Sequence, residues 1–204
     1  MIKKILWASM LLTMLNACDG IFQAKAPEFT QLLVFPKKNP VAGFSLSKHD
    51  GERFDTKNFT GHWNLIFIGY THCPDVCPMT LTDITNIYKN IDPELQKHFQ
   101  IIFLSVDPKR DTLPHLADYI EHFHDDFVAI TGDKNEIDKI VSVLGGIYHI
   151  NDEDEKYYTV DHTAKIFIVS PTGERYGIIT SEAMHNKDKS NLVKDLNRLA
   201  QTGI

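Results

Sequence analysis

The run Trp63-Asn64-Leu65-Ile66-Phe67-Ile68-Gly69-Tyr70 constrains this chain more than any other segment. It holds one polar side chain, Asn64, and shows no alternation of polar and apolar positions, which is the pattern of a strand covered on both faces. Such a strand needs a layer above and a layer below, so the run calls for a central sheet sandwiched by helices. Residues 100–106 (QIIFLSV) form a second run of the same kind. Helical spacing falls around and between them. From Pro78 to about Asn90, Leu81, Ile84, Ile87 and Tyr88 share one face, with Pro78 at a favourable first position. Residues 113–124 are again amphipathic, and residues 136–144 run into Gly145-Gly146, a helix stop rather than a phosphate loop.

Smaller signals complete the order. Phe44-Ser45-Leu46 and Arg53-Phe54 flank the turn His49-Asp50-Gly51, predicting a small hairpin ahead of the main sheet. Residues 127–130, 157–160 and 165–170 (KIFIVS) read as strands; Pro171-Thr172-Gly173-Glu174 turns the last of these back into 175–180, and residues 191–199 supply a closing helix. Strands alternating with helices, then a hairpin and a helix, predict an α/β fold with a central mixed sheet flanked by helices. A length of 204 residues without an internal repeat fits a single domain. With 43% apolar and 24% charged residues the chain excludes disorder, collagen and a multi-span membrane protein. Its 21 basic against 27 acidic residues give a net charge of -6, and loss of Lys3 and Lys4 with a leader makes this 19 against 27, or -8. That balance argues against nucleic acid, whose binding needs a concentrated cationic face.

Residues 1–17 carry Lys3 and Lys4, an apolar stretch over 5–15, and Ala17 just before Cys18. This is similar to a bacterial lipoprotein signal peptide cut before Cys18, whose acylated cysteine would hold the chain by more than one lipid. An uncleaved anchor or a plain secretory signal are the alternatives. This 11-residue uncharged stretch falls short of the ~20 residues a spanning helix wants, and every one of these readings exports the domain. Residues 18–40, with Pro27, Pro36 and Pro40 and no sustained period, suit a tether, leaving 41–204 as the folded domain.

If lipid occupies Cys18, Cys73 and Cys77 are left as an isolated pair. The loop between them is too short for a disulfide to remove much unfolded-state entropy, so the pair is a poor staple. In an exported setting it reads as redox-active or metal-binding. Tyr70-Thr71-His72-Cys73-Pro74-Asp75-Val76-Cys77-Pro78 lies where a strand hands over to a helix, and free N–H groups there favour anionic sulfur, above all at Cys73. Four residues of helix rise span about 6 Å, compatible both with a disulfide and with two thiolates on one ion. Two thiolates prefer Cu(I) or Zn(II) and want a third donor, commonly imidazole. Asp161-His162-Thr163 directly precedes the strand at 165–170, so His162 can reach a neighbouring strand's exit; a solvated strand-edge histidine is the plainer alternative.

Three strings, GYTHCPDVCP, SVDPKRDT (residues 105–112) and YTVDHTAKIFIVSPTGE (residues 158–174), together resemble the Sco/SenC family of exported copper-binding proteins, in order and spacing over roughly residues 44–199. The resemblance implies a thioredoxin-like fold with an added N-terminal hairpin, and copper, as Cu(I) or Cu(II), bound by Cys73, Cys77 and His162. Ordinary thioredoxins carry CxxC facing a cis-proline. Here the spacing is CxxxC, and no proline lies between Asp161 and the strand at 165–170, which leaves that place open to a ligating side chain. Departures at Leu113, where proline is frequent, and Phe167, where tyrosine is frequent, touch no ligand.

The resemblance further implies a metallochaperone at the periplasmic face of the membrane. It would deliver copper to the dinuclear copper (CuA) centre of cytochrome c oxidase during assembly, with the oxidase's copper-bearing subunit as recipient and another copper chaperone as candidate donor. The alternative is a thiol-disulfide oxidoreductase that uses Cys73 and Cys77 as a redox pair on the oxidase subunit or another copper protein; a copper or redox sensor is a weaker third reading. Around the core site, Asp161 is a candidate to orient the imidazole or to serve a turn, and Asp75 to tune the thiolates or to start the helix. His72 is expected to point away from the pair, and His122 and His124 to be solvated. The acidic run at residues 152–155 reads as a solvated loop or a dock for a basic partner.

Overall fold

The computed structural model describes residues 29–151 and 157–202; the signal segment, Cys18 and the acidic run lie outside them. In chain order the elements are β1 (Leu32–Pro40), β2 (Leu46–Lys48), β3 (Arg53–Phe54), β4 (Trp63–Gly69), α1 (Val76–Asn90), α2 (Pro93–Gln96), β5 (Phe99–Ser105), α3 (Leu113–Glu121), β6 (Val128–Thr131), α4 (Lys134–Leu144), β7 (Tyr148–Asn151), β8 (Thr159–His162), β9 (Ile166–Val169), β10 (Glu174–Ile179), α5 (Ser181–His185) and α6 (Ser190–Thr202). Eight strands form one mixed sheet in the order β1-β10-β9-β4-β5-β6-β2-β3, and β7 and β8 pair separately.

β4 lies in the interior of that sheet, and all seven of its residues are buried. It runs parallel to β5 from Trp63↔Phe99 to Gly69↔Ser105 and antiparallel to β9. Each fully buried aliphatic or aromatic side chain contributes about 1.5–3 kcal/mol of transfer free energy, so this strand is the natural seat of the core. Asn64, its one polar side chain, donates its amide N–H groups to the carbonyls of Phe59 and His62 at 3.0 and 2.7 Å, while its buried Oδ1 has no hydrogen-bond partner among the described residues. The predicted hairpin is present as β2 and β3, and it extends the sheet through β6. α4 stops at Gly145, whose φ of 80° gives the left-handed cap that glycine adopts without strain.

Four expectations need correction. Residues 32–40 are not tether but β1, antiparallel to β10. The sequence hides this strand because it is an edge: Leu32 alone is buried, and Pro36 falls where the register shifts between Val34 and Asn39, a place where a missing N–H costs no ladder bond. α1 begins at Val76, ahead of Pro78, so Cys77 sits in its first turn and Cys73 lies before it; helix rise therefore does not set their separation. His162 stands ahead of β9 as expected, but it does not open that strand: it ends β8, opposite Tyr148 of the half-exposed β7. α3 also ends earlier than its period suggests, as the amides of Phe123 and His124 close onto the Ile120 carbonyl.

The start of the described chain is tied down by charge. Asp195 of α6 is buried and its Oδ2 accepts the backbone N–H groups of Thr30 and Gln31 at 2.7 and 2.6 Å. Asp195→Ala should lower unfolding free energy by roughly 1.5–3 kcal/mol, the usual worth of hydrogen bonds to a charged group. Chemical denaturation checks this, and an unchanged midpoint would show that residues 30–40 are no part of the cooperative unit.

Candidate metal centre

The strand-to-helix junction places Cys77 and Cys73, and the β7–β8 hairpin carries His162 to them. Both cysteines are free thiols; Cys77 is fully buried and Cys73 partly exposed. Cys77 Sγ stands 3.3 Å from His162 Nε2, and the Cys77 backbone N–H donates to Cys73 Sγ at 3.4 Å. The two sulfurs and an imidazole nitrogen all lie within 4.8 Å of one another.

Burial pushes the Cys77 thiol well above its ordinary value, and the neighbouring Cys73 and Asp111 act in the same direction. Burial lowers the His162 imidazole, against opposing contributions from the Thr163 carbonyl and Asp161. Desolvation thus keeps both partners neutral. His162 Nδ1 lies 3.4 Å from the Thr163 carbonyl oxygen, which assigns the ring proton to Nδ1 and leaves the Nε2 lone pair for the Cys77 S–H. A soft cation would take the place of that thiol proton, with two sulfurs and one nitrogen as donors. The set suits Cu(I), or Zn(II) with one further ligand.

The surroundings hold this geometry. Phe67 and Tyr70 stand edge-on to the His162 ring, with centroids 5.8 and 6.2 Å away. Gly69 is required at the end of β4: a Cβ there would meet Phe103 at 2.7 Å and Cys77 Sγ at 3.0 Å. On α3, Tyr119 keeps its hydroxyl buried with no hydrogen-bond partner among the described residues, within electrostatic reach of both thiols.

Sequence reading missed what fixes β8. Asp107, fully buried, accepts from Arg110 Nε at 2.5 Å and Tyr158 Oη at 2.6 Å. Arg110 also donates to the Tyr158 carbonyl at 3.0 Å and lies over its ring at 3.5 Å. The SVDPKRD segment therefore clamps the entry to β8, whose far end is His162. The string itself is visible in the sequence, but its pairing with Tyr158, 51 residues on, is not.

Other candidates divide clearly. Asp161 bonds Asn151 Nδ2 at 3.0 Å and not the imidazole, so the Thr163 carbonyl is the orienting group. Asp75 is exposed and makes no side-chain capping bond. His72 turns to Thr71 and Asp111 as expected. His122 is exposed, as expected; His124 is only partly so, stacked on Phe127 with its Nδ1 accepting the Asp126 N–H.

Fold and site together define a thioredoxin-like scaffold carrying a two-thiol, one-imidazole cluster. The SCO1/SenC family model matches residues 36–201, and the chain belongs to that family. It is 38% identical over 143 residues to the mitochondrial SCO1 homologue of Homo sapiens, an alignment covering 66% of this chain and 46% of that protein, so the chain spans about half the length of this relative. Arabidopsis thaliana ScoI, solved with copper bound, superposes with a TM-score of 0.68 at 28% identity, covering 79% of this chain and 99% of that one. A structure of BsSco, a member of the Sco family of cytochrome c oxidase assembly proteins in which a disulfide switch was identified, has the same fold at a TM-score of 0.63 and 22% identity, over 82% and 96% of the two chains.

Gly69→Ala should destabilise the protein by about 1–3 kcal/mol through overpacking and should displace the Cys77 sulfur. Thermal unfolding together with thiol accessibility measures both; a fully stable variant with unaltered thiol reactivity would contradict the packing described.

Proposed function

We propose that this protein is a membrane-tethered copper metallochaperone that delivers copper to the dinuclear copper (CuA) centre of cytochrome c oxidase during its assembly. The observation that carries the reading is the Cys77–His162 contact at 3.3 Å beside Cys73. Dithiol exchange can proceed without a third donor, whereas a trigonal Cu(I) site requires one, and His162 is placed to supply it. Copper bound to the similar Arabidopsis protein and the oxidase-assembly role of the Sco family support the cargo and the recipient.

Copper is cargo in this reading, and the site is built to exchange it. Cys73 remains partly exposed, so an incoming ligand can displace it while Cys77 and His162 still hold the ion. Large apolar side chains that the fold leaves uncovered adjoin the site residues: Val76 and Met79 stand on either side of Cys77 in the chain, and Ile147 exchanges backbone and hydroxyl hydrogen bonds with Thr163, next to His162. Uncovered apolar surface beside a site marks where a partner docks. The lipid at Cys18 would keep the domain at the periplasmic face, close to a membrane-embedded recipient, with another copper chaperone as candidate donor.

Reduction of the recipient's cysteines is the second reading. It is favoured by the free, adjacent thiols and by the disulfide switch of BsSco. The two separate at His162. Reduced full-length protein should bind one Cu(I) per chain, with an affinity that rises with pH as thiol protons are lost, and Cu(II) held at the cysteine pair should show sulfur-to-copper charge transfer. His162→Ala should weaken binding at least about tenfold, by analogy with the loss of supporting groups at metal sites, while dithiol exchange continues. Native-like copper retention in the variant would overturn the chaperone reading.

A further inference from the structure

A second set of donors begins one residue away from the first. His72 sets its Nδ1 3.1 Å from Thr71 Oγ1 and 3.5 Å from Asp111 Oδ1. In the first turn of α3, His115 brings its Nε2 to 2.9 Å from the same Thr71 oxygen. Donor atoms of His72, Asp111 and His115 lie within 4.8 Å of one another, and the two ring centroids are 5.6 Å apart. Both imidazoles are exposed while Asp111 is completely buried.

Asp111 is held as a fixed carboxylate. Its Oδ2 accepts the Thr71 N–H at 3.0 Å and the Ser105 hydroxyl at 2.6 Å, and its Oδ1 accepts the Thr71 hydroxyl at 2.6 Å. These neutral donors set the orientation of the group without cancelling its charge. The adjacent Arg110 is committed to Asp107. His72 is the base that stands within ion-pair distance of Asp111, through Oδ1. Buried charges are paired or coordinate metals, and Oδ1 retains lone-pair capacity next to two imidazoles.

The donor set differs in kind from the thiol site. Two imidazoles and a carboxylate match borderline divalent ions and do not match Cu(I), which prefers thiolate. The donor atoms need to approach to the ~2.0–2.1 Å metal–ligand distances of such ions. The anionic member is rigid and buried, and the two members that must rotate are the exposed ones, so closure requires no movement of the core. We propose that His72, Asp111 and His115 form a second site, lined by nitrogen and oxygen, that binds a divalent transition-metal ion of the Zn(II) or Cu(II) class. Because His72 adjoins Cys73, an ion held there also restrains the loop that carries the exposed thiol. Binding at this site is independent of any role of the cysteine pair.

Full-length Cys18→Ser/Cys73→Ser/Cys77→Ser protein, which carries no thiol, is titrated with Zn(II) by calorimetry and with Cu(II) by electron paramagnetic resonance. One equivalent should bind, with nitrogen and oxygen ligation and no sulfur-to-copper charge transfer. His115→Ala in that background should lower affinity at least about tenfold. Should the triple serine variant fail to fold, the otherwise native chain serves: it should take up two equivalents of Cu(II), and His115→Ala only one. His115 is exposed, so its replacement leaves the melting temperature unchanged. No uptake by a folded thiol-free protein, or equal uptake with and without His115, which is adventitious binding by other histidines, overturns the proposal.

Discussion

The thiol of Cys77 and the imidazole of His162 meet at 3.3 Å, and much of the molecule is arranged to bring them together. One comes from the first turn of the helix after the buried central strand, the other from the end of a separate two-stranded hairpin. Packing fixes the first, because Gly69 leaves just the room that the sulfur needs. Polar contacts fix the second, through Asp107, Arg110 and Tyr158 at the entry to its strand and the Thr163 carbonyl behind its ring. Burial keeps both partners neutral. A neutral S–H···N pair costs far less to desolvate than an ion pair, so the apo site can stay closed and ordered. The same burial makes the pair receptive to a soft cation, which restores by coordination what desolvation took away.

Asymmetry between the two cysteines arises from their positions. Cys77 belongs to the core, whereas Cys73 lies on the loop ahead of the helix, partly exposed and hydrogen-bonded to the helix's first-turn amide. One anchoring ligand and one accessible ligand form an arrangement suited to transfer. Val76 and Met79, near Cys77 in the chain, and Ile147, hydrogen-bonded to Thr163, are uncovered apolar side chains as well. In the proposed function these features act in sequence: docking, ligand exchange at Cys73, then release from Cys77 and His162.

What can be read from the sequence tracks how local each signal is. β4 and β5 announce themselves because a strand buried on both faces is apolar throughout, and α4 because its period ends on a left-handed glycine. β1 reads as tether because an edge strand with a bulge at Pro36 buries one residue and carries no pattern. His162 is legible as a candidate by its place near a buried strand, yet its strand partner Tyr148 gives no signal, since β7 is half exposed. Its elevation to a copper ligand comes through the family resemblance, whose fold the structure reproduces. The Asp107–Tyr158 clamp and the meeting of His72 with His115 depend on contacts across 51 and 43 residues of chain, which no window of sequence contains.

The central claim is that the ion replaces the Cys77 proton and is held by two sulfurs and one imidazole. X-ray absorption of the Cu(I)-loaded protein tests it most directly. The account predicts two sulfur neighbours and one imidazole nitrogen around a three-coordinate copper. Three or more sulfurs, as in an ion bridging two chains, or a shell of nitrogen and oxygen alone, would contradict it.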